Sequence, residues 1–384
     1  MKNRCVVRTR WKILAATCAM CLTLSALEVA ARSFVALKRI PRVRLLLNTD
    51  LGLYAPHPYL GYVPRPGYRR DDYHDGCLSI NTMGFRGPEI ERVKKANCVR
   101  IVCLGGSTTF STRAGNATTY PRLLETKLDA TYSPVEIEII NAGVGGYTSA
   151  ESLVNFQLRV LDLKPDLVIV YHGINDIHPR VVPGFATDYS HYRKPFQPPQ
   201  RTVSDAVAEW STLYACLRYR FLVDHRNNLI RMTTKVPYYL VPLDIQAKSF
   251  ATTTPDTFRR NIKTIVQLAK ANGVRVVLST FTYSRSLHDR MYTAYHSGSY
   301  YRGYQQHNAV MTEICRKEGL LNVDLASRFP NDDESLFSGP VHLNSRGTEI
   351  KAQVFHDELV NARIIDQIVN SRPDSKGNLP ITLQ

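Results

Sequence analysis

Metal-ligand spacing is missing from this chain, tryptophan is nearly so, and only one long hydrophobic run is present. Two of its 384 residues are tryptophan, and its eight cysteines form no ligand pattern. Cys5, Cys18 and Cys21 lie in or beside the N-terminal apolar segment, which leaves the odd set Cys77, Cys98, Cys103, Cys216 and Cys315. Cys77 and Cys98 could bridge in an exported body, and a pair of buried thiols is the equal alternative. No internal repeat is visible. No nucleic-acid motif appears either, although the net charge is +16. That charge is local: residues 1–44 carry +9 and residues 178–250 carry +5. The rest is nearly neutral and lacks the basic face a nucleic acid requires, so no nucleic-acid partner is expected.

The hydrophobic run is N-terminal. Ile13–Leu27 is uncharged, Trp11 stands at an interfacial position, and Lys2, Arg4, Arg8, Arg10 and Lys12 precede it. Fifteen helical residues cover ~22 Å, short of a ~30 Å hydrocarbon core. Extension to Ala31 takes Glu28 to the interface. The expectation is a signal anchor: a basic cytoplasmic tail (1–10), a membrane helix (11–31) and an exported body, periplasmic or extracellular. A cleaved leader is the alternative. Residues 32–97 read as a membrane-proximal stalk packed on the body, since 45–97 are rich in Pro, Gly, Tyr and Arg without helical or strand periodicity.

From Val99 the pattern changes. Val99–Leu104, Val135–Ile140, Asp166–Tyr171, Val274–Ser279 and Leu320–Leu325 are short apolar runs, the mark of strands buried on both faces. Helical stretches alternate with them: Thr118–Ala130, Ser149–Leu161, Pro255–Asn272, Arg302–Glu318 and Ser345–Ser371. Thr254 is the expected N-cap of the third, with Pro255 at its first position. This alternation predicts an α/β body over 98–371, a parallel five-stranded sheet between two helical layers. His178–Phe250 breaks the rhythm and reads as an inserted lid or subdomain. Residues 372–384 read as a polar tail.

Chemistry concentrates after the strands, where open α/β sheets place their sites. Ser107 follows the first strand behind Gly105-Gly106, an exposed hydroxyl that could act as nucleophile. Gly146, in the glycine-rich turn after the second strand, can present a bare amide. A dinucleotide site there would need an acid after the next strand, where Tyr171-His172 stands instead. Asn175 supplies a side-chain amide after the third strand. With the Ser107 amide these make an oxyanion hole. Asp176 reads as a support that holds the turn, and His342 completes the set as base.

Ser107, Gly146, Asn175 and His342 fall in order in four blocks, and the chain thereby resembles the SGNH (GDSL-like) hydrolases over roughly 98–365. Asn81-Thr82-Met83-Gly84-Phe85-Arg86-Gly87-Pro88-Glu89 looks like the corresponding stretch of membrane-anchored bacterial members. The resemblance implies a three-layer, flavodoxin-like fold and esterase, lipase or carbohydrate O-acyl chemistry without metal or cofactor. One position departs: the usual aspartate three residues before the histidine is Gly339. A backbone carbonyl near Gly339 could orient the imidazole in a Ser–His dyad. Asp332 or Asp333 could fold back, with a solvated acidic turn as the alternative. Tyr189, Tyr192, Tyr238, Tyr239, Tyr292, Tyr295, Tyr300, Tyr301 and Tyr304 could stack on the sugars of a glycan ester, or simply pack. The expected activity is a serine ester hydrolase on a small-molecule or glycan acyl ester. The alternatives are an O-acyltransferase on an envelope polysaccharide and a degenerate glycan-binding protein.

Overall fold

The computed structural model describes residues 2–38, 51–197, 202–218, 228–294 and 296–372. Tyr295 and all of the expected polar tail except Arg372 lie outside them. The chain divides into two compact units, residues 1–53 with 198–228, and residues 54–197 with 229–384.

Among the described residues of the larger unit nine strands are present. β5 (Cys98–Gly105), β6 (Glu136–Gly143), β7 (Leu167–Tyr171), β8 (Arg275–Ser279) and β9 (Leu321–Val323) form one sheet in the order β6-β5-β7-β8-β9. All its pairings are parallel. This is the flavodoxin-like order, which reverses beside the first strand. The register aligns the carboxyl ends of the strands. Gly105 pairs with Gly143 and with Tyr171, and Tyr171 pairs with Ser279. The loops that follow therefore start from one edge.

Side chains alternate across each strand and feed two cores. Val99, Ile101 and Cys103 pack with Leu124, Leu128, Phe355 and Leu359 of helices Tyr120–Tyr132 and Ser345–Asn361. Val102 and Leu104 face Phe156, Phe258, Ile262, Val310 and Met311 on the other side. Full burial of such a side chain is worth roughly 1.5–3 kcal/mol, so the Asp256–Ala271 helix is held by its apolar stripe. Its cap differs from expectation. Pro255 occupies the N-cap, and the Thr254 hydroxyl bonds the Asp256 carboxylate instead of a backbone amide. The C-terminal helix also stops early, at Asn361. Arg363, in the left-handed region (φ 53), starts a second helix, Ile364–Asn370.

Two hairpins precede the sheet, β1 (Tyr54–His57) with β2 (Gly61–Pro64) and β3 (Arg69–Tyr73) with β4 (Gly76–Ser79). No periodicity announced them, because strands of four or five residues are too short for alternation to show. Tyr62, Leu78, Ile80 and Phe85 are buried. The flanks of the long insertion enter the main core through Val181, Val182, Tyr192, Tyr239 and Phe250.

Among its described residues the smaller unit holds a 36-residue helix, Lys2–Leu37, two short helices, Val203–Trp210 and Thr212–Leu217, and a single turn, Leu51–Leu53. Within the long helix, Trp11–Leu37 is long and apolar enough to cross a membrane. The seven cysteines whose side chains are described are all free thiols, including Cys77 and Cys98, so the buried-thiol alternative holds for Cys98 and no bridge joins the pair.

Candidate active site

Ser107 opens a one-turn helix, Ser107–Phe110, directly behind β5. Its hydroxyl lies 2.9 Å from Nε2 of His342, 235 positions later in the chain. The glycines before it are required sterically. A Cβ at Gly105 would strike the Tyr171 carbonyl, and one at Gly106 would strike the Asn175 amide. The turn is held from behind by the buried Arg86 guanidinium, which donates to the carbonyls of Phe110, Ser111 and Ala114.

Gly146 sits in the loop after β6 at φ +78, where a side chain would be strained and would meet the Tyr62 hydroxyl. Both peptides around it are clamped. The Tyr62 hydroxyl donates to the Gly145 carbonyl at 2.7 Å, and Arg193 donates to the Gly146 carbonyl at 2.6 Å. Arg193 in turn pairs with Glu151. Among the described residues the Gly146 amide itself donates to no backbone acceptor. Asn175 lies in the turn after β7. One Nδ2 hydrogen goes to the Tyr147 carbonyl at 2.8 Å, which leaves the other free beside Gly106.

Asp176 is fully buried. Its carboxylate accepts from the Ser149 amide at 3.0 Å, the Ser149 hydroxyl at 2.5 Å and the Tyr189 hydroxyl at 3.2 Å. It therefore ties the β7 loop to the helix after β6. Burial outweighs these bonds and pushes its pKa up to about 7.

The half-buried His342 stands in the loop before the Ser345–Asn361 helix, which Asn344 caps by accepting from the Gly347 amide at 3.1 Å. Burial, aided by the Arg113 guanidinium, pushes the imidazole down to about 3. The ring is thus uncharged at pH 7, with the Nε2 lone pair open to the Ser107 hydroxyl. Among the described residues Ser107 is its one hydrogen-bond partner. The Gly339 carbonyl, a candidate to orient the ring, instead accepts from the His342 backbone amide at 3.3 Å. Asp333 does not fold back. It caps its own turn, accepting from the Ser335 amide and hydroxyl, and Asp332 beside it is exposed.

Beneath Ser107 lies a recess of about 10 Å³, room for one water, bounded by Thr108, Tyr171, His342 and Lys351. Lys351 is fully buried, its ammonium 3.4 Å from the Tyr171 ring centre and 3.8 Å from that of Tyr120. Burial lowers its pKa well below the ordinary lysine value. Sequence reasoning missed Lys351, Tyr62 and Arg193. Only Lys351 left a local signal, as a charge on the apolar face of a helix with Ala352, Phe355 and Leu359. Six of the nine tyrosines are interior packing, while Tyr292 and Tyr301 are half-buried. Tyr189, Tyr192, Tyr238, Tyr239, Tyr300 and Tyr304 are buried, and rings stack on histidines, His178 on Tyr238 at 3.8 Å and His296 on Tyr300 at 3.7 Å.

The profile of the GDSL-like lipase/acylhydrolase family matches residues 103–350. The chain belongs to that family. As a GDSL-like acylhydrolase it is an ester-hydrolysing enzyme. No curated protein matches it. Similar solved structures include a GDSL-like lipase from Bacteroides thetaiotaomicron, 16% identical over 71% of this chain and 93% of that one (TM-score 0.40). A lipase/acylhydrolase from Enterococcus faecalis is 18% identical over 69% and 96% (TM-score 0.42). A catalytic mutant of an acetylxylan esterase from Geobacillus stearothermophilus is 17% identical over 70% and 96% (TM-score 0.43).

Proposed function

We propose that this acylhydrolase works through a Ser107–His342 dyad. His342 Nε2 takes the hydroxyl proton as Ser107 Oγ attacks the acyl carbonyl, then returns it to the departing alcohol. Water attacks the acyl-enzyme by the same route, and the acid leaves. The amides of Ser107 and Gly146 and the second Nδ2 hydrogen of Asn175 receive the oxyanion. The Ser107 amide suits this because the first amides of a helix have no partner within it. The 2.9 Å approach of Ser107 to His342 carries the reading.

The substrate is an acyl ester of a small alcohol or a glycan hydroxyl, met outside the cytoplasm by a body held on the Trp11–Leu37 anchor. Turnover of p-nitrophenyl acetate and labelling by a fluorophosphonate test the chemistry. Both should vanish in Ser107→Ala, and a variant that kept the parent's rate would overturn the assignment.

A further inference from the structure

The first charge after the apolar run of the long helix is Glu28, and it is not left to face lipid. Its carboxylate accepts from the Ser211 hydroxyl at 2.8 Å, the Thr212 amide at 2.8 Å and the Leu213 amide at 2.9 Å. Arg32, one turn on, pairs with it at 2.8 Å and donates to the Trp210 carbonyl at 3.2 Å. The corner between helices Val203–Trp210 and Thr212–Leu217 is thereby fixed to the long helix where its apolar stretch ends. Ala208 and Ala215 pack inward with Val35.

The outer face of the first short helix is apolar and open. Val203, Val207 and Trp210, spaced i, i+4, i+7, are 83%, 41% and 83% exposed. Asp205 lies on the opposite face, paired with Arg218. Glu28 lies seventeen helical steps after Trp11, about 26 Å of helix, close to a hydrocarbon thickness. The chain's two tryptophans thus stand at the two ends of one span.

We propose that residues 202–218 form a collar seated in the headgroup boundary of the bilayer, with Val203, Val207 and Trp210 in lipid and Glu28 as its clamp. The proposal rests on the anchor reading and extends it, because the collar uses Glu28 and Arg32 and so requires a helix that is kept. An amphipathic helix lying on a membrane buries its apolar face at that depth. Continuity with the span names lipid as the occupant.

The full-length Trp11→Phe chain, reconstituted in phosphatidylcholine vesicles, leaves Trp210 as the sole indole. Bromine placed high on the acyl chains should quench it roughly two-fold more than bromine near the chain ends, as the shallow depth requires. Glu28→Ala in that background should reduce this quenching. Equal or absent quenching by lipid, whether Trp210 meets water or is covered by protein, overturns the collar. Unchanged quenching in Glu28→Ala overturns the clamp. The intact mass of the chain isolated from membranes separates the two readings. Loss of residues through Glu28 sinks anchor and collar together, whereas an intact chain with unquenched Trp210 sinks the collar alone.

Discussion

The Tyr62 hydroxyl donates a 2.7 Å hydrogen bond to the carbonyl of Gly145, and so sets the plane of the peptide whose other end is the Gly146 amide. Tyr62 comes from β2, outside the 103–350 family match, yet it orients a donor of the proposed oxyanion hole. Removing such a donor outright costs about 10²–10³ in turnover. Tyr62→Phe keeps the ring and frees the peptide, so kcat should fall by roughly ten-fold, with KM little changed. Steady-state kinetics beside a melting curve check this. An unaltered kcat in a folded variant would remove Tyr62 from the argument.

If Ser107 and His342 act as one unit, their losses do not add. Ser107→Ala and His342→Ala should each cost about 10³-fold or more, and the double variant should be no slower than either. Initial rates on p-nitrophenyl acetate decide it. Multiplying losses would mean that the two residues act separately.

The pH profile follows from His342. An imidazole held near 3 stays a base where an ordinary histidine, at 6.5, is already charged. The acid limb of kcat/KM should therefore lie below pH 6.5. Arg113→Ala removes a cation that disfavours the imidazolium, so the limb should move upward. The fold sets its own lower bound. His178 and His307 are also pushed down to about 3 by burial. Below pH 6.5 the unfolded chain takes up protons that the folded one refuses, and stability falls as pH falls. Rates are to be read only where the melting curve shows folded protein.

Lys351 should be a burden on stability. Its folded pKa is depressed, so stability rises with pH until the unfolded lysine titrates near 10.5. Lys351→Met keeps the volume and removes the buried ionisable group. The variant should be more stable at pH 7 by about 1–3 kcal/mol, with the gain shrinking toward pH 10. Thermal melts across that range measure it. A destabilised variant would mean that contact with the Tyr120 and Tyr171 rings outweighs burial.

The central sheet strands were legible because they are short apolar runs buried on both faces, as in Val168–Val170, whereas the edge strand Leu321–Val323 is short and half-buried. Ser107, Gly146, Asn175 and His342 were legible because each stands just past such a run or just before a helix. Tyr62, Arg86 and Arg193 were not. Tyr62 meets Gly145 from 83 positions away, and no local spacing encodes such a contact. The hairpins hid for lack of length. The break at Arg363 hid because its left-handed turn is made without glycine.

The wall behind Gly145 and Gly146 is made by Tyr54, Tyr62 and Leu229, not by the sheet. A polypeptide started at residue 98, where the first central strand begins, would bring Ser107 and His342 together but arrive with the tyrosines of that wall stripped away. Trimming this enzyme to the segment its family match covers should leave the proposed nucleophile with a weakened grip on the proposed oxyanion.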